Sequence, residues 1–137
     1  MTDFGKRIVE LKNSNLLIKR KDFKILWHLD YYDSPITGIG LYNNKFFYFS
    51  LDDCFKRRKS VYKIVELSIE EFKEELYSHE MFRIYVGFHT DYHLPIPQVR
   101  AFGFIHPREN WENYYGHNYS IDRQKYSTKE VIGYFVI

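Results

Sequence analysis

The sequence predicts an α+β fold: one domain spanning residues 1–137, with a mostly antiparallel curved sheet and two main helices packed on it. Three observations carry this. Several runs of four to eight residues alternate apolar and polar side chains, the pattern of half-buried strands. Only two segments hold apolar residues at helical spacing. The strands are joined by hairpin-length connections, without the regular βαβ alternation of a parallel sheet.

Residues 3–12 read as a short helix, with Phe4, Ile8 and Leu11 on one stripe and Asn13-Ser14-Asn15 as its end. Leu16 to Ile18 reads as a short strand. Residues 23–30 read as a strong strand. Strict alternation puts Phe23, Ile25, Trp27 and Leu29 on one face, and Lys24, Leu26, His28 and Asp30 on the other.

Residues 36–50 read as a hairpin turning at Asn43-Asn44, because asparagine tolerates the positive φ of a type I′ turn. That register sets Leu41 opposite Phe46 and Ile39 opposite Tyr48. It also sets Gly40 opposite Phe47 and Gly38 opposite Phe49, where a ring lying over a facing glycine repairs a weak strand position. Residues 60–67 read as an interior strand, apolar on both faces.

Residues 69–79 read as the second helix. Ser68 and Glu71 form a capping box, and Leu67 with Phe72 forms a hydrophobic staple. Ile69, Phe72 and Leu76 mark its buried stripe; Glu70, Lys73 and Glu74 face water. Beyond it, residues 82–89 read as a strand with Phe82, Ile84, Val86 and Phe88 inward. Residues 90–97 form a loop broken by Pro95 and Pro97. Residues 98–105 read as a strand, Pro107 to Tyr115 as a helical turn or two, Asn118 to Ser127 as a loop, and Val131 to Ile137 as a terminal strand.

Aromatic residues make up 20% of the chain, which implies a core built on Phe and Tyr where most proteins use Leu. The formal charge of +2 gives no field suited to duplex nucleic acid. The basic runs Lys19-Arg20-Lys21 and Lys56-Arg57-Arg58-Lys59 are short and read as solvated turns. The single Cys54 forms no internal disulfide and reads as a bystander thiol. No apolar run approaches membrane-span length, and the N-terminus has no signal-peptide core; a cytoplasmic protein with no membrane partner is expected. The wealth of Lys, Ile, Phe and Tyr points to an AT-rich bacterial or phage genome.

Two groups of residues carry candidate chemistry. The clusters His28-Leu29-Asp30 and His89-Thr90-Asp91-Tyr92-His93 follow alternating runs and break at Pro35 and Pro95. If they meet in space, His28, Asp30, His89, Asp91 and His93 offer imidazoles and carboxylates to zinc, manganese or iron, and a small metal-dependent hydrolase is the alternative function. Their spacing matches no zinc-finger or zincin motif. No P-loop, dinucleotide fingerprint or nucleophile elbow occurs.

The second group is aromatic and polar. Tyr31, Tyr32, Tyr92, Arg108, Trp111, Tyr114 and Tyr115 combine rigid contact area with polar tips, which suits a protein partner or a small nucleotide-like ligand. The leading expectation is a small binding or inhibitor protein of the immunity, antitoxin or phage anti-defence kind. It would block a partner or sequester a small ligand, without a cofactor. That expectation rests on analogy with other small domains that lack catalytic motifs.

Overall fold

The computed structural model describes residues 3–31, 35–55, 59–85 and 124–137, with the backbone alone at 30, 31, 35 and 83–85. The described elements are α1 (Asp3–Asn13), β1 (Lys24–Tyr31), β2 (Pro35–Tyr42), β3 (Lys45–Phe55), β4 (Lys59–Glu66), α2 (Ile69–Tyr85) and β5 (Val131–Val136). The strands form one antiparallel sheet in the order β1-β2-β3-β4-β5. The α+β class, the antiparallel sheet and the two helices are as the sequence predicts.

The sheet curls back on itself. Four strand spacings separate β1 from β5, about 19 Å in a flat sheet. Yet Phe23, the residue before β1, stacks on Phe135 of β5 with ring centroids 4.5 Å apart. Residues 16–18 lie along the outer edge of β5: Ile18 N donates to Tyr134 O at 2.7 Å and Tyr134 N donates to Leu16 O at 2.8 Å. The strand expected over 16–18 is thus a single parallel bridge, Leu17 to Tyr134. The curl encloses an inner core of Phe23, Ile25, Phe47, Phe49, Tyr62, Ile64 and Phe135. Its aromatic weight bears out the expected core composition.

Curling demands small residues where strands crowd. At Gly38 an added Cβ would stand 2.3 Å from Phe49 Cζ; at Gly40 it would stand 2.3 Å from Phe23 Cε1. The hairpin register is the predicted one at all four pairs, with Asn43 and Asn44 at φ 49° and 61°. One detail differs: the ring over Gly40 is Phe23 from the chain entering β1, and not the facing Phe47. The curl brings Phe23 across the sheet, a contact that the hairpin alone does not contain.

β1 departs from strict alternation. Ile25 pairs with Gly40 and Trp27 with Ile39, so two steps on β1 match one on β2. This bulge turns Trp27 away from Ile25. Ile25 faces the inner core, while Leu26 and Trp27 join an outer core with Ile39, Tyr48, Val65, Leu67 and Tyr126. The expected grouping of Trp27 with Phe23 and Ile25 is therefore wrong; Trp27 is fully buried in the outer core. The sequence alternation of Lys24, Leu26, His28 and Asp30 with Ile25, Trp27 and Leu29 runs unbroken across the bulge and so does not reveal it.

The end of α1 and the start of α2 are chemically explained. Leu16 N donates to Leu11 O and Asn15 N to Lys12 O, with Asn15 at φ 56°, a Schellman closure of α1. Ser68 N donates to Glu71 Oε1 at 2.8 Å, and Glu71 N donates to Ser68 Oγ at 3.1 Å. This is the predicted reciprocal box at the start of α2. α2 then covers the outer core. Phe72 lies against Phe46 with centroids 3.5 Å apart, and His79 stacks on Trp27 at 4.5 Å.

α2 runs further than expected. Residues 82–85, read from sequence as the start of a strand, continue the helix to Tyr85. No glycine or proline lies between His79 and Tyr85 to break the helix. The rings of His79 and Phe82, one helical turn apart, lie parallel with centroids at 6.2 Å. Ile69, expected in the buried stripe, is 51% exposed; the buried positions include Glu75 and His79 instead. The rest of the expected 82–89 strand, the 90–97 loop, the 98–105 strand and the turns over 107–115 lie outside the described residues.

Candidate functional site

A cleft of about 270 Å³ opens on the outer side of the sheet beside residues 124–130. Its floor follows from strand alternation. Residues two apart on a strand share a face, and antiparallel pairing aligns such residues into cross-strand rows. Here one row is Ile39, Tyr48, Val65 and Val131 across β2, β3, β4 and β5. The next row on the same face is Thr37, Ser50, Lys63 and Tyr134. The first row is mostly apolar and the second carries hydroxyls and one amine. The cleft spans both rows.

One wall is the strap of residues 124–130, which includes Tyr126 and Lys129 among the lining residues. The Tyr126 ring meets Tyr48 edge-on at 4.9 Å. Two glutamates of α2 hold the strap in place. Tyr126 Oη donates to Glu75 Oε1 at 2.6 Å, and Lys125 Nζ donates to the same oxygen at 2.8 Å. Lys129 Nζ donates to Glu71 Oε1 at 2.5 Å and to Glu66 O at 2.8 Å. Burial of Glu75 is tolerable because it meets a cation and a hydroxyl at once.

These contacts move two proton affinities. Burial raises the Tyr126 phenol well above its usual range, and its bond to Glu75 pushes it the same way. The hydrogen bond from Lys129 lowers the Glu71 carboxyl, and the Ser68 backbone N–H lowers it further.

The cations near the cleft differ in commitment. Lys125 and Lys129 are bound to glutamates, and Arg7 holds Asp52 at 2.9 Å while lying over the Tyr134 ring. Lys63 sits in the floor, half-buried, and makes no ion pair among the described residues. Partial desolvation without a carboxylate leaves its charge available to a ligand.

The residues singled out from sequence lie elsewhere. His28 is buried on β1, and a second register shift separates it from Asp30: His28 pairs with Gly38 and Asp30 with the adjacent Thr37. His89, Asp91 and His93 lie outside the described residues. Among the described residues no group of three or more His, Cys, Asp or Glu is placed to hold a metal. The backbone of Tyr31 ends β1; Tyr32, Tyr92, Arg108, Trp111, Tyr114 and Tyr115 lie outside the described residues. Cys54 is exposed, with Sγ 3.8 Å from Ser60 Oγ.

Sequence reading missed Lys63, Ser50 and Thr37. A lone lysine in a strand reads as solvated. The signal was nonetheless present: extending the hairpin register from Ile39–Tyr48 by two residues places Thr37 opposite Ser50.

A second, shallower hollow lies between the end of α1 and β5, lined by Lys12, Asn15, Leu17, Ile18, Lys19, Arg20 and Val136. Its Lys12, Lys19 and Arg20 are exposed. Arg20 is occupied, donating to Phe23 O at 2.9 Å and lying over the Phe135 ring. No helix among the described residues is long and apolar enough to cross a membrane. Comparison with protein-family models, curated proteins and solved structures gives no match.

Proposed function

We propose that this protein is a small binding protein that sequesters a small ligand in the cleft between the outer face of the sheet and the 124–130 strap. The observation that carries the reading is the floor: an apolar row beside a polar row, with uncommitted Lys63 in the polar one. Ligand sites are typically concave, largely apolar and supplied with a few placed polar groups. The described elements position these groups on strands, which hold them more rigidly than loops do. The reading keeps the ligand-sequestering branch of the sequence expectation and moves its site from the aromatic cluster to the cleft. Cytoplasmic residence and an antitoxin or anti-defence role belong to the proposal, supported by size and by the absence of recognised catalytic motifs in the sequence.

The test is a screen of small metabolites against the full chain by backbone amide NMR, repeated on Ser50→Trp, which fills the cleft from its floor. Binders should shift the amides of Thr37, Ser50, Val65 and Val131 and lose affinity in the tryptophan variant. Binders that leave these amides unmoved and bind Ser50→Trp as well as the parent would refute the site.

A further inference from the structure

We infer that the ligand taken by the cleft is a small organic acid: a compact apolar body bearing one carboxylate, with Lys63 as its counter-charge. The inference rests on the reading of the cleft as the ligand site and goes on to assign its chemistry.

The first argument is charge. Around the cleft, Lys125, Lys129 and Arg7 each already face a carboxylate. Lys63 alone among these four cations has no such partner among the described residues, and it stands in the floor of the cleft, half-buried. An amine held partly away from water beside an apolar surface favours an anion over a neutral guest. The bland alternative is a strand lysine whose stem covers the sheet while its head stays in water.

The second argument is spacing. Lys63 and Val65 are two residues apart on β4, so their side chains leave the same face about 7 Å from one another. The apolar row continues to Val131, and Tyr48 and Tyr126 present aromatic surface beside it. A guest lying across both rows needs an apolar end and an anionic end at that separation. An aromatic or short aliphatic acid has this form.

The third argument separates carboxylate from phosphate. Phosphate sites draw on arginine forks or on the backbone amides of a helix N-terminus. The lining residues described include neither an arginine nor the first turn of α2; they offer one free amine, the Ser50 hydroxyl in the floor and the Ser127 hydroxyl on the strap. That complement suits a single negative charge. At about 270 Å³ the cleft also lies just below the ~300–1,000 Å³ range of pockets for drug-sized ligands.

The experiment titrates the isotope-labelled full chain with matched probes: benzoate against benzamide, hexanoate against hexanamide, and adenosine 5′-monophosphate and inorganic phosphate for comparison. The acids should shift the amides of Thr37, Ser50, Lys63, Val65 and Val131. Each amide should bind at least tenfold more weakly than its acid. Lys63→Met should weaken acid binding tenfold or more, with its spectrum otherwise unchanged, and Lys63→Arg should retain most of it. Amides binding as tightly as acids, with Lys63→Met indifferent, would overturn the inference while leaving the cleft as a site. A preference of the same residues for either phosphate compound would overturn the carboxylate assignment. If no probe of any class moves the cleft residues, the reading of the site falls and the inference falls with it.

Discussion

The Tyr126 hydroxyl donates a 2.6 Å hydrogen bond to Glu75, fifty-one residues earlier in the chain. That contact fixes the strap to α2 and so forms one wall of the cleft. Tyr126→Phe removes the donor and leaves the buried Glu75 carboxylate to the Lys125 amine. It should cost about 1–3 kcal/mol, the usual penalty for an incompletely satisfied buried group. The phenol is raised in the folded state, so its contribution is fully present below the ordinary tyrosine range. It fades as pH rises past about 10, where the unfolded chain ionises. Urea melts of parent and Tyr126→Phe at pH 8 and pH 10.5 measure both effects; a difference that grows with pH would contradict the account.

The second tie to the strap runs through Glu71, which also serves the capping box of α2. Its carboxyl is lowered by Lys129 first and by the Ser68 N–H next. A lowered carboxyl stabilises the fold above its unfolded range, and this contribution is lost as pH falls through the folded value. The stability gap between the parent and Glu71→Gln should therefore be full at pH 7 and close as pH drops below about 4. Ser68→Ala, which removes the side-chain acceptor alone, should cost about 1 kcal/mol. Thermal melts across that pH range check the first outcome, and a Ser68→Ala melt at pH 7 checks the second.

At Gly40 an added Cβ would stand 2.3 Å from both Cε1 and Cζ of Phe23, with Lys24 O at 3.0 Å. Phe23 is itself wedged on Phe135 and fully buried, so its ring has little room to yield. Gly40→Ala should destabilise by about 1–3 kcal/mol through overpacking. Shortening the ring with Phe23→Leu should make the glycine substitution cheaper, so a double-mutant cycle should show favourable coupling. Strict additivity would mean that the ring does not lie over the glycine.

Trp27 is fully buried between Phe72 and His79. Trp27→Ala should cost about 3–5 kcal/mol, a large share of the stability of a domain this size. An unchanged urea midpoint would put the ring at the surface.

Local chemistry was legible in the sequence where it acts over a few residues. Asn43-Asn44 specified the hairpin and its register, and Ser68 with Glu71 specified the start of α2. Trp27 could be read as core because its neighbours are apolar whichever face it takes. The bulges of β1 were not legible, since, Leu26 apart, the alternation of polar and apolar residues continues through them as in a regular strand. The length of α2 was misread because Phe82, Arg83, Ile84 and Tyr85 alternate like a strand while the His79–Phe82 ring contact continues the helix. The cleft was hidden for a different reason. Its floor joins residues 37, 50, 63 and 131 from four strands, and its wall depends on a glutamate, Glu75, that sequence alone would leave in water.

The most direct test of the central claim is where a bound acid touches the protein, read from intermolecular NOEs between unlabelled benzoate and the labelled chain. Ring protons of benzoate should show contacts to the methyl groups of Val65 and Val131, and these should vanish in Ser50→Trp. Contacts instead to the rings of Tyr32, Trp111, Tyr114 or Tyr115, with none to Val65 or Val131, would contradict the cleft as the ligand site and return the function to the aromatic cluster.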